Sequence, residues 1–382
     1  MVSLLMDASS ELVHSLLPVL MVTVLGASMI TVGIIEGVAE ATAAVTKVFS
    51  GVLSDYLGRR KLLTVLGYGL AAITKPVFPL AGTIEWVFAA RFVDRIGKGI
   101  RGAPRDALVA DIAPPALRGA AYGLRQSLDS VGAFIGPLLA LVLLAWFAND
   151  IQAALWVAVI PAFLAVLVLI FGVHEHGHGE GPTQVRIPIT LRDTLRLQRR
   201  YWFVVLLGAV FTLARFSEAF LILRAQDVGL TLAYVPLVLV IMNIVYAATA
   251  YPVGVASDRI SHRQTMIWGL GILVAADIVL AVATSPLPAL AGAALWGLHM
   301  GFTQGLLSKL VADNVPAALR GTAFGIFNLV TGIALLLASV IAGALWSIFG
   351  ASVTFFAGAI FAALPILGLL VFRDPREQIG SV

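Results

Sequence analysis

The sequence has no cysteine, and charged residues make up only 12% of it against 60% hydrophobic. Without cysteine there are no disulfides and no thiolate metal centres. So little charge excludes a soluble globular chain, in which roughly a quarter of the residues are charged. There is also no Gly-x-x-x-x-Gly-Lys-Ser/Thr run, so nothing here binds nucleotide phosphates in the manner of an ATP-driven pump. No basic leader precedes the apolar run from Leu4, so a cleavable signal peptide is not expected. What is present is apolar length: the mean hydropathy is +0.98. The 36 glycines add the small residues that let membrane helices approach closely. The net charge of +4 is no nucleic-acid footprint, because the basic residues alternate between loops instead of forming one patch.

The chain repeats itself. Leu108-Val-Ala-Asp-Ile-Ala-Pro-Pro-Ala-Leu-Arg-Gly-Ala-Ala-Tyr-Gly123 returns as Leu310-Val-Ala-Asp-Asn-Val-Pro-Ala-Ala-Leu-Arg-Gly-Thr-Ala-Phe-Gly325. Gly51-Val-Leu-Ser-Asp55 returns at nearly the same spacing as Gly254-Val-Ala-Ser-Asp258. Two segments agreeing on one offset mean a duplicated half, a ground plan of membrane transporters.

A spanning helix takes about 20 mainly apolar residues. That rule yields twelve spans, at about 4–26, 30–53, 62–81, 84–108, 119–147, 152–173, 201–224, 231–256, 265–284, 287–310, 321–348 and 351–372. Six fall in each half and run in the same order, so the repeat is parallel. The expected organisation is an N-terminal bundle over 1–173, a linker over 174–200 and a C-terminal bundle over 201–382. Basic residues follow the even-numbered spans, as at Arg59, Arg60, Lys61, Arg118, Arg259, Arg263 and Arg320, and the odd-numbered loops have almost none. Cytoplasmic loops carry the Lys/Arg excess, so both termini are expected in the cytoplasm of a multi-pass inner or plasma membrane protein. The linker opens His174-Glu-His-Gly-His178 and ends in Arg199-Arg200. It reads as a solvated tether along anionic headgroups; metal binding by its three histidines is the weaker alternative.

The segment Gly51-Val-Leu-Ser-Asp55-Tyr-Leu-Gly58-Arg59-Arg60-Lys61 resembles the signature between helices two and three of the major facilitator superfamily. Topology alone explains its basic tail, but not Asp55, Gly58 and the echo at Asp258. The start of span eleven near Arg320 carries partial positive charge. Asp55 docking there would hold the halves together, with Asp258 doing likewise at span five. Span five carries Gly123, Gly132, Gly136 and Pro137, which look like the antiporter signature of drug:proton exchangers in that superfamily; Ala140 and Leu141 stand where its final glycines would be. Ordinary small-residue packing is the plainer reading of the same spacing. The resemblance implies an all-α integral membrane fold: twelve transmembrane helices in two pseudo-twofold-related six-helix bundles around a midplane site. It implies a secondary transporter with no cofactor and no resident metal, not an enzyme, working as a monomer on protons and a small molecule.

Charges inside spans are costly unless paired or hydrated, which makes them the candidate site. Asp7, Glu11 and His14 share one face of span one, and Glu36 and Glu40 one face of span two. Span four carries Arg91, Asp94, Arg95, Lys98, Arg101, Arg105 and Asp106, and span five Arg125 and Asp129. Span seven adds Arg215 and Glu218. Arg101, Arg105 and Asp106, near the span end, read as structural. Glu11, Glu36, Glu40 and Asp129 are the proton-coupling candidates, since a desolvated carboxylate holds its proton more tightly. The expected activity is proton-coupled efflux of a small organic solute. Its rivals are uptake or facilitated diffusion of an organic anion held by Arg91 and Arg95, and export of a metal or metal chelate.

Overall fold

The structure, a computed structural model, describes residues 1–57, 60–112, 114, 117–173, 197–257, 261–315 and 320–371. Among these residues the chain forms twelve helical rods. α1 is Val2–Val19, prolonged by a π-helical turn Leu20–Val24, and α2 is Met29–Leu57. α3 joins Arg60–Thr74 to Val77–Leu80 across Pro76, whose missing N–H interrupts the ladder. α4 is Ile84–Ile112, α5 Arg118–Trp146, and α6 joins Ile151–Val157 to Val159–Gly172. α7 joins Arg199–Leu213 to Ala219–Asp227. α8 is Leu237–Ser257, α9 His262–Val282, α10 Pro286–Asp313, α11 Arg320–Phe349 and α12 Ala351–Val371.

Eight of these rods are long and apolar enough to cross a membrane by length and composition alone. α4, α7, α10 and α12 fall outside that count. α4 is studded with charge, α7 is broken, and the apolar stretch of α12, Ala351–Leu367, is shorter. The expected span seven, continuous over 201–224, is therefore corrected: its backbone leaves the helix between Leu213 and Ala219. Arg199 and Arg200, assigned to the linker from sequence, open this helix.

The repeat is visible in the packing. In the first half α1 packs on α5, α2 on α4, α3 on α4 and α3 on α6; in the second, α7 packs on α11, α8 on α10, α9 on α10 and α9 on α12. Each pairing has its counterpart six rods later, so two six-helix bundles share one plan. Between the bundles α2 runs along α11, α5 along α8, and α1 meets the second segment of α7.

The α2–α11 contact is tight at one end. A Cβ on Gly33 would collide with the Ser339 carbonyl, and one on Gly343 with the Met29 carbonyl. The Ile30 N–H donates to Ser347 Oγ at 3.2 Å. Here α2 begins and α11 ends, and glycine allows the two backbones to touch. Further along, the helices flank a cavity, with Ala43 and Lys47 on one wall and Asn328 and Thr331 on the other.

Candidate functional site

The cavity occupies about 990 Å³ between the bundles and is lined from α1, α2, α4, α5, α7, α8, α10 and α11. It narrows into an adjoining recess of about 270 Å³ against the break in α7. α4 organises the charge around both, because its three- and four-residue steps turn one ionic face toward α1, α2, α3 and α5 in succession.

Deepest lies a chain of polar contacts through four helices. Arg91, 2% exposed, donates to Glu36 Oε2 at 2.8 Å and pairs with His14 Nδ1 at 3.1 Å. A guanidinium has only donors, so Nδ1 must accept and the imidazole proton sits on Nε2. His14 Nε2 lies 3.9 Å from Glu218 Oε2, at the start of the second α7 segment. The chain thus runs from α2 through α4 and α1 into the other bundle.

One turn along, Arg95 binds Glu40 at 3.0 Å. Lys75 from α3 holds Asp94 at 2.9 Å and donates to Ser10 at 3.1 Å. Arg101 lies 3.8 Å from Asp7 and stacks 4.6 Å from the Tyr68 ring centroid. Arg125 and Asp129 close their helical pair at 2.9 Å, with Arg105 3.8 Å from the same carboxylate oxygen. Asp7, Glu11, Glu40, Asp129 and Glu218 all reach the cavity wall, as do Arg101 and Arg105. Arg91, Arg95 and Asp94 are already engaged by side chains of neighbouring helices. An anion held by Arg91 and Arg95 alone would first have to break those pairs.

Three charges here have no ion pair among the described residues. Glu11 and Lys98 face both cavity and recess without a hydrogen-bond partner among the described residues. Arg215 lines the recess, its guanidinium 5.9 Å from the Phe211 ring centroid. His14 and Lys98, named from sequence only as members of the charged faces of spans one and four, both line the recess; His14 is one helical step from Glu11, and Lys98 one step from Arg95.

The break in α7 has no proline or glycine. Its freed Ser217 N–H donates to Ser339 Oγ on α11 at 3.2 Å, so a neighbouring helix supplies what the ladder lost. In α5, Gly132 and Gly136 seat α1: added Cβ atoms would lie 2.7 Å from the Leu4 and Ala8 carbonyls respectively. That close seating holds the Asp7–Glu11 face against the cavity. Pro137 deprives the Ala133 carbonyl of its helical donor, and Asn243 Nδ2 of α8 takes that acceptor at 3.2 Å. Gly58, Arg59, Asp258 and the histidines of 174–178 lie outside the described residues, as do the side-chain surroundings of Gly51, Asp55 and Gly123. Arg60 reaches the Ala107 carbonyl at 3.5 Å.

Comparison with known proteins agrees with this architecture. The sequence profile of the Major Facilitator Superfamily matches residues 1–223 and 216–381. An uncharacterized MFS-type transporter of Methanocaldococcus jannaschii is 32% identical over 377 residues, covering 96% of this chain and 92% of that one. A protein of Cupriavidus pinatubonensis named "Probable 4-methylmuconolactone transporter" is 28% identical over 331 residues, covering 81% and 74%. Among solved structures, the nucleoside transporter NupG superposes with a TM-score of 0.78 at 13% identity, covering 97% of this chain and 96% of that one.

Proposed function

The chain belongs to the Major Facilitator Superfamily, and from that premise we propose that it exports a small organic solute in exchange for protons. The observation that carries this reading is the charged chamber between the bundles, onto which the acids Glu11, Glu40 and Glu218 converge from α1, α2 and α7. Such acids are retained inside a membrane protein when they do work there. The positive-inside pattern supports an orientation with both termini and the cavity mouth on the cytoplasmic side.

Solute enters from the cytoplasm and settles among these groups. Bundles 1–173 and 201–382, joined by the 174–200 linker, then rock about the α2–α11 and α5–α8 contacts, opening the other face. There protons reach the carboxylates. Protonated Glu40 loses its hold on Arg95, and protonated Glu218 loses its attraction for the His14 N–H, so solute leaves. The halves return with the protons bound, and release of those protons to the cytoplasm re-forms the pairs for the next solute. Asp55, in the last turn of α2, acts as the latch that shuts the cytoplasmic side. The seating of α1 by Gly132 and Gly136 fits the antiporter resemblance and supports the export direction.

Everted vesicles provide the test. Solute should accumulate while a pH gradient is maintained and leak back when it is collapsed; equal transport in both conditions would remove the proton exchange. A second reading, entry or facilitated passage of an organic anion, is favoured by the unpaired cations Lys98 and Arg215 and by the Cupriavidus relative's name. In the same assay it predicts gradient-independent anion flux.

A further inference from the structure

We propose that Asp277 is a proton-binding site of the C-terminal bundle, and that the end of the molecule opposite the cavity mouth closes only over its protonated carboxyl. The inference goes beyond the exchange proposed above: it uses none of the chamber's acids and rests only on the bundles alternating. Asp277 sits on α9, little more than one turn before that helix ends at Val282. It is 0% exposed, and neither carboxyl oxygen has a hydrogen-bond partner among the described residues. The α12 backbone closes over it, since a Cβ on Gly358 would lie 2.8 Å from Asp277 Oδ2 and 3.1 Å from the Phe216 ring. Phe216 in turn lines the recess, so its ring stands between this carboxyl and the chamber.

The ionisable groups on the surrounding helices are committed elsewhere. On α10, His299 donates from Nδ1 to the Gly269 carbonyl at 2.8 Å, two turns back along α9, and Lys309 and Asp313 lie at the far end of that helix. On α7, Arg215 and Glu218 face the recess on the other side of Phe216. Arg224 donates to the Leu280 and Ala283 carbonyls at 2.9 and 2.8 Å and pairs with Asp227. α12 has no ionisable residue over Ala351–Val371, and α9 has otherwise only His262 and Arg263 at its opposite end. A carboxylate with neither counter-charge nor donor is not sustained inside a membrane protein, so Asp277 carries its proton in this conformation. With the α12 backbone against Oδ2 and the Phe216 ring beside it, the ligand that fits is a bare proton. The site lies just inside the seam that alternation must open. Thr354, one turn before Gly358, donates to the Ala342 carbonyl of α11 at 3.4 Å, next to the Gly343 that presses on Met29. When α2 and α11 part there, the packing around α12 loosens and water reaches Asp277. Its O–H bond then breaks, the proton passes to water, and the carboxylate is left hydrated. Closing again over that anion would strip its water without replacement, so a proton must return first.

The test reads that end directly. Val24 and Ile348, 53% and 70% exposed, lie there on opposite bundles, and with no native cysteine both can be replaced by cysteine and spin-labelled. Pulsed electron paramagnetic resonance on the purified full-length protein in detergent then gives the label separation from mildly acid to alkaline pH. The closed form binds one more proton than the open form, so its share is largest in acid and falls as pH rises. The closed-to-open ratio should fall by up to about tenfold per pH unit, the worth of one proton. Asp277→Asn and Asp277→Leu cannot ionise, and both should hold the short separation into alkaline pH. The leucine variant keeps the test decisive if an unpartnered amide weakens the fold. Glu11→Gln, which changes only the chamber, should keep the wild-type profile. Wild-type distances that ignore pH, or Asn and Leu variants that follow the wild-type profile, would each overturn the site. The measurement uses neither solute nor gradient, so its failure leaves proton exchange standing. A protein that shows the profile yet transports without regard to a pH gradient loses only the exchange.

Discussion

Glu36 is 1% exposed and accepts from Arg91 at 2.8 Å, whereas Glu11 faces the cavity with no partner among the described residues. Substituting each by glutamine therefore separates two roles that the bare sequence leaves merged. Glu36→Gln removes the charge that compensates a buried guanidinium, a change that costs about 3–5 kcal/mol when one partner of a buried pair is lost. Glu11→Gln leaves no orphan, and its effect on stability should stay below about 1 kcal/mol, as for a partner-free surface site. Thermal unfolding in detergent checks both figures. Transport should then show the complementary pattern, with Glu11→Gln folding normally but losing its response to a pH gradient. A well-folded Glu36→Gln protein would mean that Arg91 has another counter-charge and that the chain through His14 is not held as described.

The helices carry their own prediction at the α5–α8 crossing. Proline in a helix leaves the carbonyl four residues earlier without its donor; here that carbonyl is Ala133, and the donor arrives from Asn243 across the bundle interface. Asn243→Leu should cost about 1 kcal/mol, in line with hydrogen bonds between membrane helices. Pro137→Ala restores an internal donor, so in that background Asn243→Leu should cost distinctly less. A double-mutant cycle measured by unfolding reads the difference; strictly additive effects would show that the proline and the asparagine are unrelated.

How far the helices could be read in advance depended on where each was specified. Apolar length accounts for eight of the twelve rods, and the loop repeat placed the starts of α5 and α11, at Arg118 and Arg320. Pairs within one helix were equally plain: Arg125 and Asp129 are four apart and meet at 2.9 Å. The break in α7 was not, because Ala214-Arg215-Phe216-Ser217-Glu218 contains neither of the residues that punctuate helices. It is stabilised from outside, by Ser339 on a helix more than a hundred residues away. The same applies to charge pairing. One-dimensional spacing shows that α4 is ionic on successive turns, but only the packing decides that Arg91 and Arg95 are occupied while Lys98 is left open to the cavity.

The relation between the two bundles is where the lack of cysteine becomes useful, since thiols introduced there have no native thiol to compete with them. The bundles touch at the end where Ile30 donates to Ser347 at 3.2 Å, and they part around the cavity at the other. Alternation of access requires that first contact to open. Replacing Ile30 and Ser347 together by cysteine puts a thiol on either side of this 3.2 Å contact, and oxidation closes a disulfide when the Cα atoms approach to roughly 4.4–6.8 Å. Oxidation should then stop solute transport, and reductant should restore it. A cross-linked protein that turns over at the rate of its reduced form would show that solute crosses without the bundles separating there. In that case the glycines at positions 33 and 343 would be a permanent seam, and the path would have to be a fixed pore through the charged chamber.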